Sequence, residues 1–368
     1  MTKILFVVVF FVMVIGALFS WFYQPLMGVV AVSDLDEKLK VGFVYLGPPG
    51  DHGWTYQHDQ GRLALERALG DQVETIYVEG VPEEGPAAEN ALERLVNDGA
   101  KLIFTTSFGY MESTLKVAKR YPNHRFEHAT GYKRSENVST YSSRFYEGRY
   151  VSGQIAGHLS KTGQAGYVAS FPIPEVMRGI NAFLLGAQSV NPEFRMKVIW
   201  VNSWFDPDKE AAAAKKLLDQ GVDVLTQHTD STAVVQIAEE NKIHSFGQAS
   251  DMTPFAPDYL LTSIINNWGD YYIARTKAAL AGTWRSTDTF GGMDAKMVVM
   301  GGFKNMPKQV IRSAEATTKA ITSGGLHPFA GPIIKKDGTL MVPRGEKLSL
   351  QALLSMDWYV QGVEVVRL

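Results

Sequence analysis

Residues 95–103 read LVNDGAKLI, and residues 217–225 read LLDQGVDVL. In each stretch the apolar end of a helical pattern is followed by a glycine, which suits a helix end, and then by an apolar strand. The two stretches lie 122 positions apart, from 95 to 217. A nearly equal shift aligns the apolar run at 41–44 with the run at 165–168. Any two strand–helix units share such features, but their similar order and spacing predict an internal duplication.

Apolar runs typical of buried strands alternate with amphipathic helical patterns along the chain. This alternation favours parallel sheets flanked by helices. The predicted fold is therefore α/β, with two Rossmann-like lobes joined by a hinge. Predicted lobe 1 comprises residues 40–160 plus about 267–290, and predicted lobe 2 comprises residues 164–265 plus about 296–368. The predicted crossovers lie near 159–164, 266–269 and 290–296.

The N-terminus carries a targeting segment. Lys3 is the only charged residue before Asp34, and residues 4–23 carry no charge. A cationic start followed by an apolar run is typical of a secretory signal, although about 20 apolar residues can also span a bilayer. Residues 1–31 are therefore predicted to be a signal peptide or an uncleaved N-terminal anchor. Both interpretations place the rest of the chain outside the cytoplasm.

The composition argues against several classes of protein. The chain has 36 Lys+Arg against 38 Asp+Glu, so a strongly basic surface for nucleic acid has no support. Cysteine is absent, which removes disulfides, thiolate metal sites, cysteine nucleophiles and a lipidated N-terminal cysteine. No nucleic-acid partner is expected.

Aromatic and acidic residues recur just beyond the predicted strands. They are Asp51, Trp54, Phe108, Tyr110, Trp204, Asp206, Asp230 and Asp251. Ligands of open parallel sheets bind beyond the carboxyl ends of the strands, and two facing lobes would form a cleft there. Flat aromatic faces and carboxylates suit a planar heterocycle with ring N–H groups and hydroxyls. The alternatives are core packing for each aromatic and helix capping for Asp51, Asp206 and Asp230.

Enzyme signatures are missing from the sequence. There is no Gly-x-Ser-x-Gly, no Walker loop and no His-Glu-x-x-His. His52 and His58 lie near carboxylates, but their spacing fits no standard metal-ligand motif, so neither a metal nor a cofactor is expected. Asp51, Asp206 and Asp251 could serve as acid/base groups in a nucleoside hydrolase, yet no spacing marks a nucleophile or a pair. No catalytic residue is predicted.

From Val41 to the C-terminus the chain resembles the basic membrane protein (BMP) family. These are purine-nucleoside-type solute-binding proteins of ABC importers with a type I periplasmic binding fold. The matching positions are Asp51, Trp54 and Gly61, Trp204 and Asp206, Asp251, Leu261-Thr262-Ser263, Gly331-Pro332-Ile333, Gly338, and Met356-Asp357-Trp358-Tyr359-Val360-Gln361-Gly362.

The resemblance implies a role for several of these residues. Trp54 and Trp204 would sandwich a purine from opposite lobes, where family members usually carry Phe. The residues implied to complete the cleft are Asp51 and Asp251, as polar readers of base or sugar, and Phe108 and Tyr110, as lining.

Two departures from the family pattern bear on the ligand. Nucleoside-binding relatives carry a Lys where this chain has Asn266 or Asn267, and an Asn where it has Thr55. An amide offers both a donor and an acceptor, which suits a base edge such as that of adenine. The expected ligand is therefore a purine base, adenine-like, or a purine nucleoside. A hinge or helix-cap role for the two asparagines is the alternative.

The resemblance also implies partners and location. The protein would be a periplasmic monomer that delivers its ligand to an ABC permease in the inner membrane. Many relatives carry a lipidated cysteine, and this chain has none. It would therefore be free in the periplasm or held by an uncleaved N-terminus. A secreted nucleoside hydrolase and a ligand-sensing subunit for a membrane receptor are the alternative functions.

Overall fold

The computed structural model describes residues 38–368. The predicted signal peptide or anchor at residues 1–31 lies outside this part of the chain. Among residues 38–368, no helix combines the length and the apolar character needed to cross a membrane.

Strands and helices alternate along most of the described chain. The strands are β1 (Leu39–Val44), β2 (Val73–Val78), β3 (Leu102–Thr105), β4 (Arg125–Ala129), β5 (Val138–Ser143), β6 (Gln164–Ala169), β7 (Arg195–Trp200), β8 (Val224–His228), β9 (His244–Ala249), β10 (Leu260–Asn266), β11 (Asp288–Gly291), β12 (Val298–Met300), β13 (Ile333–Ile334), β14 (Leu340–Val342) and β15 (Val363–Val366). The helices are α1 (Trp54–Leu69), α2 (Ala87–Asn97), α3 (Met111–Arg120), α4 (Tyr146–Leu159), α5 (Pro174–Gln188), α6 (Pro207–Leu218), α7 (Ala233–Glu240), α8 (Gly269–Leu280), α9 (Lys308–Thr322) and α10 (Leu350–Leu354). Short 3₁₀ turns cover Phe108–Tyr110 and Thr253–Phe255.

Two large sheets form the two lobes. The sheet of lobe 1 has the order β11-β5-β4-β3-β1-β2, and all of its pairings are parallel. The sheet of lobe 2 has the order β12-β10-β9-β8-β6-β7-β15, and only β12 runs antiparallel to its neighbour. The segment β4-β3-β1-β2 therefore has its counterpart in β9-β8-β6-β7. The predicted α/β fold with two lobes is confirmed.

Each sheet is covered by helices on both faces, because each helix buries one apolar stripe. In α2 the buried residues are Ala88, Ala91, Leu92, Leu95 and Val96, the face that the sequence pattern predicts. In lobe 1, α1 packs against α8 on one side of the sheet, and α2 packs against α3 on the other. In lobe 2, α4, α5 and α9 cover one side, and α6 and α7 cover the other. This layering leaves the carboxyl ends of the strands free for ligand contacts.

The sequence prediction placed the first crossover near 159–164, after α4. In the structure this crossover lies before α4. Strand β5 ends at Ser143, and α4 then packs against α5 in lobe 2. Val151 and Ile155 of α4 are fully buried in the lobe 2 core. An added Cβ at Gly153 would collide with the backbone carbonyl of Phe183, so the two helices pack with their backbones in close approach.

The three crossovers are joined by hydrogen bonds. Ser143 Oγ in the first donates to Asn266 Oδ1 in the second at 2.9 Å. Asn267 Nδ2 in the second donates to the carbonyl of Lys296 in the third at 3.1 Å. Arg144 Nη1 in the first donates to the carbonyl of Phe290, just before the third, at 2.7 Å. The connections between the lobes therefore form one cross-linked hinge.

Candidate ligand-binding cleft

A small cavity lies between the carboxyl ends of the two sheets. Its lining residues are Leu46, Trp54, Ser107, Phe108 and Thr130 from lobe 1, and Glu175, Trp204, His228, Asp230 and Gln248 from lobe 2. Each stands at or just beyond the end of a strand, or at the start of the following helix. The cleft thus forms where the fold class predicts it.

Trp54 is the first residue of α1, and neighbouring aromatic rings hold its side chain. Its indole Nε1 donates to the carbonyl of Thr106 at 2.6 Å. The rings of His58 and Trp268 meet it edge to face, with centroids 4.5 and 5.6 Å away. The indole is therefore oriented by lobe 1 alone, before any ligand binds.

Trp204 lines the same cavity from lobe 2. Phe171 packs against its ring at a centroid distance of 5.3 Å. Its indole Nε1 donates to Glu83 Oε2 of lobe 1 at 3.2 Å. The second aromatic wall therefore depends on a contact made by the opposite lobe.

Asp230 is the carboxyl group deepest in the cleft, with 5% of its surface exposed. Among residues 38–368 its side chain has no hydrogen-bond partner, so both oxygens are available to a ligand. Burial, followed by the nearby charges of Asp51, Glu210, Glu83 and Glu175, raises the pKa of Asp230 well above its usual range. The carboxyl can then remain protonated and offer one donor beside one acceptor.

Three further polar groups line the lobe 2 side of the cavity. Burial, together with the positive charges of Arg149 and Arg178, lowers the pKa of His228 well below its usual value, so the imidazole is neutral. Burial also raises the pKa of Glu175. Gln248 Oε1 accepts from Arg149, which leaves its amide NH₂ for the cavity.

Arg149 is a buried positioning residue behind this wall. Its guanidinium donates to Thr226 Oγ1 at 2.9 Å, to the carbonyl of Gln227 and to Gln248. The rings of Phe145 and Tyr167 lie over it at 5.1 and 5.3 Å. The guanidinium is fully buried, and it orients the Gln248 amide because it offers only donors.

Asp51 caps α1, and its oxygens are occupied by the backbone. Oδ1 accepts from the N–H groups of Gly53 and Tyr56, both at 2.8 Å, and Oδ2 accepts from that of Thr55 at 3.0 Å. Burial raises the pKa of Asp51, although these backbone donors oppose the shift. The capping alternative therefore describes this residue, which borders an adjoining crevice rather than the central cavity.

Tyr110 lies in the core of lobe 1 and not in the cavity lining. It is fully buried, and its hydroxyl donates to the carbonyl of Val81 at 2.5 Å. Phe108, two residues earlier, does line the cavity. The 3₁₀ turn that carries both residues points them in different directions, which the sequence spacing does not reveal.

Asp206 and Asp251 both cap local structure outside the cavity. Asp206 Oδ1 accepts from the backbone N–H of Lys209 at 3.1 Å and caps α6. The hydrogen bond and charge of the Lys209 side chain lower the pKa of Asp206. Asp251 is exposed, and it accepts from the N–H and hydroxyl of Thr253 at 3.0 and 2.6 Å. In this closed arrangement neither carboxylate reaches the cavity.

Asn266 and Asn267 lie in the hinge rather than in the cavity lining. Asn266 is fully buried, accepts from Ser143 Oγ through its side chain, and accepts from Gln57 Nε2 through its carbonyl. Asn267 binds the carbonyl of Lys296. The hinge alternative therefore describes their contacts.

The sequence prediction missed several lining residues. They are Leu46, Ser107, Thr130, Glu175, His228 and Gln248. His228 and Gln248 occupy predicted strand ends, so position was the available signal. Thr130 follows β4, which the apolar pattern did not single out.

The two lobes are in contact around the cavity. Ser250 Oγ of lobe 2 donates to the carbonyl of His52 in lobe 1, and the rings of His52 and Phe255 lie 4.8 Å apart. Gly53 abuts the backbone of Asp230 so closely that an added Cβ would collide with its carbonyl. The structure is therefore a closed form. Within residues 38–368, no group of three or more His, Cys, Asp or Glu side chains is placed to hold a metal ion.

Two α/β lobes joined by a hinge, with a cavity between them, are the architecture of the type I periplasmic binding protein fold. The chain belongs to the Bmp family, because the family profile described as ABC transporter substrate-binding protein PnrA-like matches residues 38–326. This confirms the family resemblance in the sequence. Substrate-binding proteins of ABC importers act outside the cytoplasm, where they bind small molecules for a permease.

Two relatives cover most of the chain. A purine-binding protein of Brucella abortus is 60% identical over 329 residues, which span 89% of this chain and 94% of that protein. A putative ABC transporter glucose-binding protein of Haloferax volcanii is 38% identical over 329 residues, which span 89% of this chain and 81% of that protein.

A solved structure supports the fold. The ABC transporter solute-binding protein of Aeropyrum pernix superimposes with a TM-score of 0.67 at 21% identity, over 80% of this chain and 94% of that one. At this identity the likeness concerns the fold alone.

Proposed function

We propose that this protein is the periplasmic solute-binding component of an ABC importer for a purine base, adenine-like, or a purine nucleoside. It acts as a monomer, closes over its ligand and presents the closed lobes to an inner-membrane permease. It performs no chemistry on the ligand. The 60% identity to a purine-binding protein supports the ligand class.

The observation that carries the proposal is the pair of tryptophans in one closed cavity. Trp54 enters from lobe 1 and Trp204 from lobe 2, and both rings border the same space. Indole faces stack favourably on any heterocyclic base. A purine between them would bury both of its faces and link the two lobes.

The polar groups of the cavity suit the edge of a purine. A protonated Asp230 offers a donor beside an acceptor, and so pairs with a ring nitrogen and an adjacent amino group. The Gln248 amide and the neutral His228 imidazole add uncharged partners. Such a site would discriminate strongly, because a wrong edge leaves buried polar groups unpaired.

A free base fits this arrangement better than a nucleoside does. Asp251, which the family resemblance implies as a reader of base or sugar, caps a turn outside the cavity. Asn266 and Asn267, at the position of the family's lysine, bind hinge groups. The polar groups left to face a ligand are those suited to a base edge.

The decisive experiment measures binding by the purified, full-length protein. Calorimetry with adenine, adenosine and glucose should give tight binding of a purine and none of glucose. Trp54→Ala and Trp204→Ala should each weaken purine binding by about 1–3 kcal/mol. Trp358→Ala, in the C-terminal segment, is the matched control and should bind normally.

Three results would contradict the proposal. Glucose binding without purine binding would indicate a sugar ligand, as in the name of the Haloferax volcanii relative. Wild-type affinity in both tryptophan variants would reject the sandwich. Release of free base from adenosine would show an enzyme instead of a binding protein.

A further inference from the structure

Glu83, which the proposed ligand site does not include, touches both lobes at the cleft. It lies in the loop between β2 and α2 of lobe 1. Its Oε1 accepts from Ser107 Oγ at 2.5 Å and from the backbone N–H of Gly109 at 2.8 Å. Its Oε2 accepts from the indole Nε1 of Trp204 at 3.2 Å. One oxygen therefore binds lobe 1, and the other binds lobe 2.

The loop that carries Glu83 is anchored to the core of lobe 1. The Tyr110 hydroxyl donates to the carbonyl of Val81, and the N–H of Val81 donates to the carbonyl of Tyr45 at 3.0 Å. Gly109 allows the carboxylate to approach, since an added Cβ would lie 2.6 Å from Glu83 Cδ. The carboxylate is therefore held ready before lobe 2 arrives.

We propose that Glu83 is a positioning residue that fastens the closed form by holding the ring of Trp204 against the ligand. This inference rests on the proposed function, because it assigns Trp204 to the ligand cavity. The hydrogen bond between Glu83 and Trp204 exists only while the lobes are closed. It therefore slows ligand release and sets the angle of one aromatic wall.

The partners of Glu83 explain why the contact is specific. Trp Nε1 is a donor only, and a carboxylate with one oxygen already bound has the other oriented toward it. Phe at position 204 would keep an aromatic face but lose this donor. The hydrogen bond can thus be removed by changing either Glu83 or Trp204, and in both cases an aromatic ring remains at position 204.

A double-mutant cycle on adenine dissociation tests the contact. Stopped-flow release should be about tenfold faster for Glu83→Ala and for Trp204→Phe, as expected for loss of a charge-assisted hydrogen bond. The double variant should release adenine no faster than the faster single variant. Gly109→Ala, which displaces the carboxylate without removing its charge, should resemble Glu83→Ala. Glu84→Ala, at the exposed neighbouring carboxylate, should match the wild type.

The distance between labels on the two lobes tests the role of Glu83 separately from the proposed function. The chain has no cysteine, so Lys119→Cys in lobe 1 and Lys215→Cys in lobe 2 can carry spin labels alone. Glu83→Ala should lower the closed fraction, with and without adenine. If the wild type binds neither adenine nor adenosine, the proposed function fails, and the measured distance between the two labels still decides the role of Glu83. Additive effects in the cycle, or an unchanged closed fraction, would overturn it.

Discussion

Asp230 is the residue whose surroundings constrain the ligand most. Burial and then the charges of four other carboxylates raise its pKa, and its side chain accepts no hydrogen bond within residues 38–368. Burying a charged carboxylate next to these other carboxylates would cost more free energy than burying a neutral carboxyl group. The ligand should therefore not be an anion, since a negative charge would add to the repulsion among these carboxylates.

The affinity for adenine should depend on pH through Asp230. If the neutral carboxyl is the binding form, affinity is full below its raised pKa and falls as pH rises through that value. Asp230→Asn should bind with little pH dependence, because an amide keeps a donor and an acceptor and does not titrate. Asp230→Ala should bind weakly at every pH.

Calorimetry from mildly acidic to mildly alkaline pH measures this dependence. Asp51, Glu210, Glu83, Glu175 and His228 also surround the site, so the asparagine variant isolates the contribution of Asp230. A wild-type affinity that rises with pH would mean that the carboxylate is the binding form.

At the scale of the element, α1 links helix capping to ligand binding. Asp51 satisfies three backbone N–H groups at the start of the helix, whose first residue is Trp54. Loss of the cap would fray the turn that holds this ring. A residue that never reaches the cavity can therefore influence the site.

Asp51→Ala should lower the free energy of unfolding by about 0.5–2 kcal/mol, as for other helix caps, and should also weaken adenine binding. Asp206→Ala is the matched control, because Asp206 caps α6 in lobe 2 outside the cavity. It should destabilise the protein without weakening binding. Thermal unfolding and calorimetry measure the two effects. Equal losses of affinity in both variants would contradict a specific link between the Asp51 cap and the ligand site.

At the scale of the whole molecule, closure depends on close approach of the lobes. Gly53 in lobe 1 lies against the backbone of Asp230 in lobe 2, and Ser250 binds the carbonyl of His52 beside it. The cross-linked hinge at Ser143, Asn266 and Lys296 directs this motion.

Gly53→Ala should hinder closure, because its methyl group would meet the carbonyl of Asp230. Adenine affinity should fall at least tenfold, because the closed form that binds the ligand would be less populated. Gly50→Ala is the control in the same loop, where an added Cβ meets nothing within 4 Å. With saturating adenine, small-angle scattering should show a more open conformation for the Gly53→Ala variant than for the wild type. Wild-type affinity in that variant would refute a requirement for this contact.

The sequence by itself determined the α/β fold, the internal duplication and the position of the cleft at the carboxyl ends of the strands. Each follows from local periodicity or from the ends of parallel strands, as the repeat at 95–103 and 217–225 illustrates. It also placed Trp54, Phe108, Trp204 and Asp230 among the candidates, and all four line the cavity. Their roles toward a ligand remain proposals.

Only the tertiary structure decided which polar side chains already have hydrogen-bond partners within the protein. Asp51, Asp206 and Asp251 share a residue type and a loop setting with Asp230, but their oxygens bind nearby backbone N–H groups. Likewise the buried α4 joined lobe 2, and Glu83 met Trp204 across a separation of 121 residues. A sequence pattern records local periodicity, whereas these outcomes depend on which groups meet when distant segments pack.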